Sequence, residues 1–287
     1  MSLVMCLAYL NAPALAADIS EEVITVPVSA TGRYLALKDH PTVVTVFKPS
    51  DGDANIKHPF IVFNHGRPVV NTPSENRMRL TGTARYFAGK GYVVFVPTRP
   101  GYGVTKGPDI EDDGSTKAGC EVIANSAKAV AEVNRATISY AAGLPYVDAG
   151  KGLIVGQSAG GFAAIYMSTL DLQGIKGVVN FSGGRGGNPT SRPGNPVSPY
   201  EVERCYSKFG AESKLPTLWV YSENDKYFGA DAPKQWFTAF RKAKKSSADT
   251  DAFFQMPPYK EDGHMIYRCI ECWKSEFEKF EAKVLTH

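Results

Sequence analysis

Histidine and cysteine are both scarce in this chain of 287 residues, five of each. That scarcity narrows the chemistry available. Cys269 and Cys272 form the one closely spaced cysteine pair, and no second Cys or His pair stands at ligand spacing, so a zinc site is not expected. The same CxxC lies near the C-terminal end rather than at an early βα turn, which argues against a redox motif. Neither a metal nor a cofactor is implied. Charge of one sign is also lacking: the formal net charge is +3, and the only dense cationic run, Arg241-Lys-Ala-Lys-Lys245, reads as a helix C-terminus whose cations complement the macrodipole. No base-reading motif accompanies it, so nucleic acid is not an expected partner. Internal repeats and Ser/Gly linkers are missing, and 27 glycines with 19 prolines make the chain loop-rich without low complexity.

One apolar segment opens the chain. Residues 1–17 end in Ala14-Leu-Ala16, the small-x-small pattern that precedes signal-peptidase cleavage, and read as a signal peptide. The segment is shorter than the roughly 20 residues that span a bilayer, so stable membrane insertion is not expected. No Lys or Arg precedes it, a departure that fits a start further upstream. Cys6 leaves with the signal. Cys120, Cys205, Cys269 and Cys272 remain, an even number suited to disulfides in an oxidising space, periplasmic or secreted. Four cysteines allow three pairings; Cys269 with Cys272 and Cys120 with Cys205 is the preferred one.

Apolar runs rich in Val, Ile and aromatics predict eight strands, at residues 22–28, 42–47, 60–63, 92–96, 153–155, 177–181, 217–221 and 252–255. Helical patterns fall at 75–89, 121–142, 160–170, 232–245 and 266–283. Later strands alternate with helices, which predicts an α/β fold with a mostly parallel sheet covered on both faces, while the helix-free first strands predict an antiparallel edge. Residues 18–287 read as one domain. Residues 183–214, with Gly-Gly-Arg-Gly-Gly and several prolines, read as an irregular insertion after a strand's carboxyl end and are expected to wall a substrate cleft.

Gly156-Gln-Ser-Ala-Gly-Gly161 sits between the fifth predicted strand and the following helix. A serine at such a turn presents its hydroxyl above the sheet edge, and Ser158 is the candidate nucleophile. A hydroxyl needs a base, and the base needs an orienting carboxylate. Of the histidines, His264 follows the last predicted strand and is free of the other assignments. For the acid, Asp225 lies just beyond the strand at 217–221, with Glu223 and Asp231 as alternatives. The order Ser158, Asp225, His264 is that of the α/β-hydrolase triad. Ala159 supplies an oxyanion amide by position.

The strand at 60–63 runs into His65-Gly66-Arg67-Pro68, which resembles the His-Gly-x-Pro motif of α/β-hydrolase-fold enzymes. The resemblance implies that Arg67 donates the second oxyanion amide. Tyr92-Val-Val-Phe-Val-Pro-Thr-Arg-Pro-Gly-Tyr-Gly103 is similar to the strand and Arg-Gly-Tyr-Gly loop of dienelactone-hydrolase-like and prolyl-oligopeptidase-like members. The similarity covers residues 60–283. Dienelactone hydrolases proper carry cysteine at the elbow, where this chain has Ser158, so their substrate does not transfer. Oligopeptidases add a propeller for which this chain has no room, and epoxide hydrolases and dehalogenases place Asp at the nucleophile position.

The resulting expectation is a serine hydrolase cleaving carboxylic esters of small molecules or polymers through an acyl-enzyme. Tyr102, Phe162, Tyr227 and Phe228 are candidates for the cleft lining. A peptidase or amidase uses the same machinery, and a noncatalytic binding protein on this scaffold is the third alternative. Oligomeric state is not legible.

Overall fold

A computed structural model describes residues 18–50, 56–67, 76–112, 119–245 and 250–285. The expected signal segment, residues 1–17, and Pro68 of the His-Gly-x-Pro motif lie outside the described residues.

Eight strands form a single sheet: β1 (Ile19–Thr31), β2 (Ala36–Pro49), β3 (His58–Asn64), β4 (Val93–Pro97), β5 (Val147–Gln157), β6 (Ile175–Phe181), β7 (Thr217–Ser222) and β8 (Ala252–Met256). Their order is β1-β2-β4-β3-β5-β6-β7-β8. β2 runs antiparallel to both β1 and β4, and every other neighbouring pair is parallel. The antiparallel edge arises where the chain has no helix to carry it back across the sheet.

Side-chain alternation along the strands separates two apolar layers. Phe60, Val62, Ile154 and Trp219 meet helices α2 (Cys120–Ala142), α3 (Ala159–Met167), α4 (Pro199–Glu212) and α5 (Ala232–Ala243) on one face. Ile61, Phe63, Val155 and Val220 meet α1 (Thr81–Gly89) and α6 (Ile270–Leu285) on the other. Each such side chain, wholly buried, contributes roughly 1.5–3 kcal/mol. The central strands are apolar on both faces because both are covered.

Three expectations change. The helical pattern from residue 75 becomes helical only at Thr81, and the pattern from residue 266 splits into a 3-10 turn, Gly263–Arg268, followed by α6. The stretch at 183–214 is not irregular throughout: its second half is α4, whose Val202, Cys205, Tyr206 and Phe209 are buried. The described residues contain no helix long and apolar enough to cross a membrane.

Candidate active site

The turn from β5 to α3 is built by close approach. Gly156 lies so near the Gly160 carbonyl that a Cβ there would overlap it. Between them Ser158 takes φ 56°, ψ −123°, a conformation that costs a non-glycine residue about 1–3 kcal/mol and survives only where its surroundings enforce it. The Ser158 amide donates to the Phe181 carbonyl at 3.0 Å, and its carbonyl accepts from Phe162 at 2.9 Å. The residue is thus pinned between β6 and the first turn of α3. Ala159 is the first residue of α3, so its amide is one of the N-terminal donors that no intrahelical carbonyl can reach.

Asp225 sits three residues past the end of β7, in the turn closed by its own side chain. Its Oδ1 accepts from the Tyr227 amide at 2.7 Å and the Phe228 amide at 3.1 Å. The two carboxylate oxygens lie 3.2 and 3.1 Å from His264 Nδ1. A carboxylate accepts only, so Nδ1 carries a proton, and in the neutral ring Nε2 then keeps its lone pair. The imidazole is buried, with the Tyr227 ring stacked on it at 3.8 Å and 17° and the Phe228 ring edge-on at 5.2 Å. Asp262 shapes the backbone below: its Oδ1 accepts from the His264 and Lys226 amides, both at 2.9 Å. The loop after β8 and the loop after β7 are therefore tied to each other through carboxylates.

Ser158 and His264 open onto one cavity of about 670 Å³, shared with Gly66, Arg67 and Gln157. Among the described residues, four guanidinium groups, Arg67, Arg77, Arg79 and Arg268, line it, and no carboxylate does. Arg67 pairs with Asp109 behind the wall, and Arg77 and Arg79 share Glu21. Arg268 donates to the Tyr267 hydroxyl at 3.0 Å and has no carboxylate partner among the described residues. Among the described residues, two carboxylates thus face four guanidinium groups, an excess of positive charge.

The four aromatic candidates part company. Tyr227 lines the cavity. Phe228 lies beneath His264, packed on Trp236 at 5.2 Å. Phe162 points instead into the core, against Tyr206 and Phe209 at 5.3 and 5.4 Å, because α3 turns that face toward α4. Tyr102 stands behind the β3 loop and donates to Glu111 at 3.3 Å. Nor does the stretch at 183–214 line the cavity. Gly184 and Gly187 pack against Phe228 and Tyr227, and the Gly194 amide donates to the Lys226 carbonyl at 2.7 Å, so the segment buttresses the loop that carries Asp225. Of the cysteines, Cys120 is joined to Cys205 and Cys269 to Cys272, with Cα separations of 5.2 and 5.3 Å.

Residues missed from sequence form a buried charge cluster behind the β3 loop. Arg99 and Glu111 are an ion pair with essentially no solvent exposure, and the Arg99 guanidinium donates to the His65 carbonyl at 2.8 Å. The available signal was Arg99 itself, two residues past the end of a fully buried strand, where a charge must find a partner; Glu111 carried none.

The sequence profile of the dienelactone hydrolase family matches residues 69–257. The chain belongs to the dienelactone hydrolase family. Within it, this dienelactone hydrolase family member is 30% identical over 127 residues, 44% of its length, to the "Probable dipeptidyl-peptidase 5" of Aspergillus terreus, of which it spans 16%. Among solved structures it resembles an acetyl xylan esterase from Paenibacillus sp. R4, with a TM-score of 0.60 at 14% identity over 96% of this chain and 87% of that one. It also resembles the acylaminoacyl peptidase of Pyrococcus horikoshii, with a TM-score of 0.59 at 16% identity over 94% of this chain and 42% of the other. At such identities the likeness is one of fold, and both esterases and peptidases share it.

Proposed function

We propose that this family member is a serine hydrolase of carboxylic esters. The observation that carries the reading is His264, its Nδ1 held by Asp225 and its ring bordering the cavity that Ser158 also borders. In this reading the Ser158 hydroxyl attacks the acyl carbon while His264 Nε2 takes its proton, Asp225 stabilises the imidazolium, and the Arg67 and Ala159 amides receive the oxyanion. His264 returns the proton to the leaving alcohol, and water activated by the same nitrogen releases the acid. The joined cysteines support an oxidising compartment, periplasmic or extracellular, as the place of action.

The identity to a dipeptidyl-peptidase favours a second reading, cleavage of peptides. The charge of the described lining weighs against an aminopeptidase: a protonated peptide N-terminus needs a carboxylate, and the described residues offer four guanidinium groups and none. The same field suits an ester with an anionic group.

The test is labelling by a fluorophosphonate together with turnover of a panel of neutral and anionic esters and of aminoacyl anilides. Wild type is expected to label and to hydrolyse esters, and Ser158→Ala to do neither. Turnover of anilides alone would move the assignment to the peptidase reading, and an unlabelled, inactive but folded wild type would refute a serine hydrolase altogether.

A further inference from the structure

The oxyanion donor read at Arg67 is a backbone amide, so its direction depends on the Gly66–Arg67 peptide plane. The described residues include no cis peptide bond, and in a trans peptide the carbonyl and the amide point opposite ways. Whatever grips the Gly66 carbonyl therefore aims the Arg67 N–H.

His65 grips it. Its Nδ1 lies 2.7 Å from the Gly66 oxygen, and its Nε2 lies 3.3 Å from the Arg99 amide nitrogen. A backbone amide only donates, so Nε2 accepts and the ring proton sits on Nδ1, donated to the Gly66 carbonyl. A second ring proton would confront the Arg99 N–H. Burial, reinforced by the Arg99 charge, keeps the ring neutral by pulling its pKa down to about 3. The ring is held in place as well as in tautomer. Tyr102 packs edge-on against it at 4.9 Å, and Arg99, itself fastened by Glu111, donates to the His65 carbonyl. Gly66 and Arg67 border the cavity, as does His65. A Cβ on Gly66 would stand 2.9 Å from Ser158 Cβ, so this peptide is the one that borders the nucleophile.

We infer that His65 is a positioning residue for acyl transfer: its Nδ1–H bond to the Gly66 carbonyl orients the peptide that presents the Arg67 amide to the oxyanion, and the buried Arg99–Glu111 pair locks His65 in that tautomer. The inference rests on the serine-hydrolase reading above. Losing the bond frees the peptide to rotate and to turn a carbonyl toward the developing negative charge. The loss is felt in the transition state and not in the bound ester, so kcat falls while KM holds.

The experiment compares His65→Ala with His65→Asn, whose side-chain amide can replace the Nδ1–H donor. His65→Ala is expected to lower kcat roughly 10- to 100-fold, up to the loss of one oxyanion donor, with KM within about threefold. Its affinity for a trifluoromethyl ketone, which forms a tetrahedral oxyanion on Ser158, should fall by the same factor as kcat/KM. His65→Asn should recover most of both. All values are taken per active site, titrated with a fluorophosphonate, so partial unfolding does not imitate the effect. A folded His65→Ala with unchanged kcat and ketone affinity overturns the inference, as does a loss confined to KM. Should His65→Ala not fold, nitrogen-15 NMR of the wild-type imidazole decides: the neutral Nδ1–H tautomer from about pH 5 to 8 is expected, and an Nε2–H tautomer or a protonated ring there overturns it. A wild type that neither labels nor hydrolyses esters or anilides overturns the hydrolase reading and this inference together, whereas an active wild type matched by His65→Ala overturns this inference alone.

Discussion

Both Asp225 oxygens lie near His264 Nδ1, at 3.2 and 3.1 Å, but only Oδ1 also holds backbone amides, and that difference makes its replacement predictable. Oδ1 holds the Tyr227 and Phe228 amides, so an asparagine in its place keeps its carbonyl there and turns its NH2 toward His264 Nδ1, 3.1 Å from the other oxygen. That NH2 must donate, so it competes with Nδ1–H and favours the tautomer with the ring proton on Nε2, which removes the base. Asp225→Asn is therefore expected to fold normally and to lose about 10⁴-fold in kcat with little change in KM, a result that steady-state kinetics beside thermal melting will check. The placement of Ser158, Asp225 and His264 after strands was legible in the chain, because the strands are periodic and few histidines compete. Arg99–Glu111 was not, since the pair is closed by a loop with no periodicity and only burial reveals that two charges must meet.

At the level of elements, α4 shows how composition can hide a helix. Glycines and prolines dominate the first half of residues 183–214, yet buried Val202, Cys205, Tyr206 and Phe209 follow helical spacing, and Pro199 in the first turn is a helix-start signal. The helix is fastened to the start of α2 by the Cys120–Cys205 link, by Glu201, which accepts from the Cys120 amide at 3.0 Å, and by the Lys208–Glu121 ion pair. The link closes a loop with a sequence separation of 85, so replacing both cysteines by serine should lower stability by about 4 kcal/mol through the entropy regained by the unfolded chain. Denaturant titration measures this. Ester turnover in the absence of denaturant should remain, because both residues lie outside the cavity lining.

Across the whole molecule, the buried cluster behind the β3 loop links stability to pH. His65 titrates at about 3 in the fold against an ordinary value of 6.5, so the unfolded chain takes up a proton through that window while the folded chain does not. The stability that neutral His65 allows is complete above about pH 6.5 and is lost steadily as pH falls toward 3. Burial opposes ionisation of Glu111, but Arg99 outweighs it and holds the carboxyl below its usual range, so its contribution also disappears on acidification, at lower pH. Melting temperature is expected to drop from neutral pH to about pH 5, and His65→Asn, which does not titrate, should flatten that slope. A slope identical in the variant would place its origin in other groups.

The order of strands along the chain and of every described α-helix but α4, the mostly parallel sheet, its antiparallel edge and the elbow turn were determined by the sequence itself, because they follow from periodicity, glycine placement and chain order, which act over short stretches. Tertiary structure alone decided which face each aromatic meets, that residues 183–214 support the Asp225 loop instead of walling the cavity, and that arginines from distant segments meet in that cavity. Those outcomes depend on packing and on charges brought together from far apart in the chain, and neither distance nor burial is written in a local pattern.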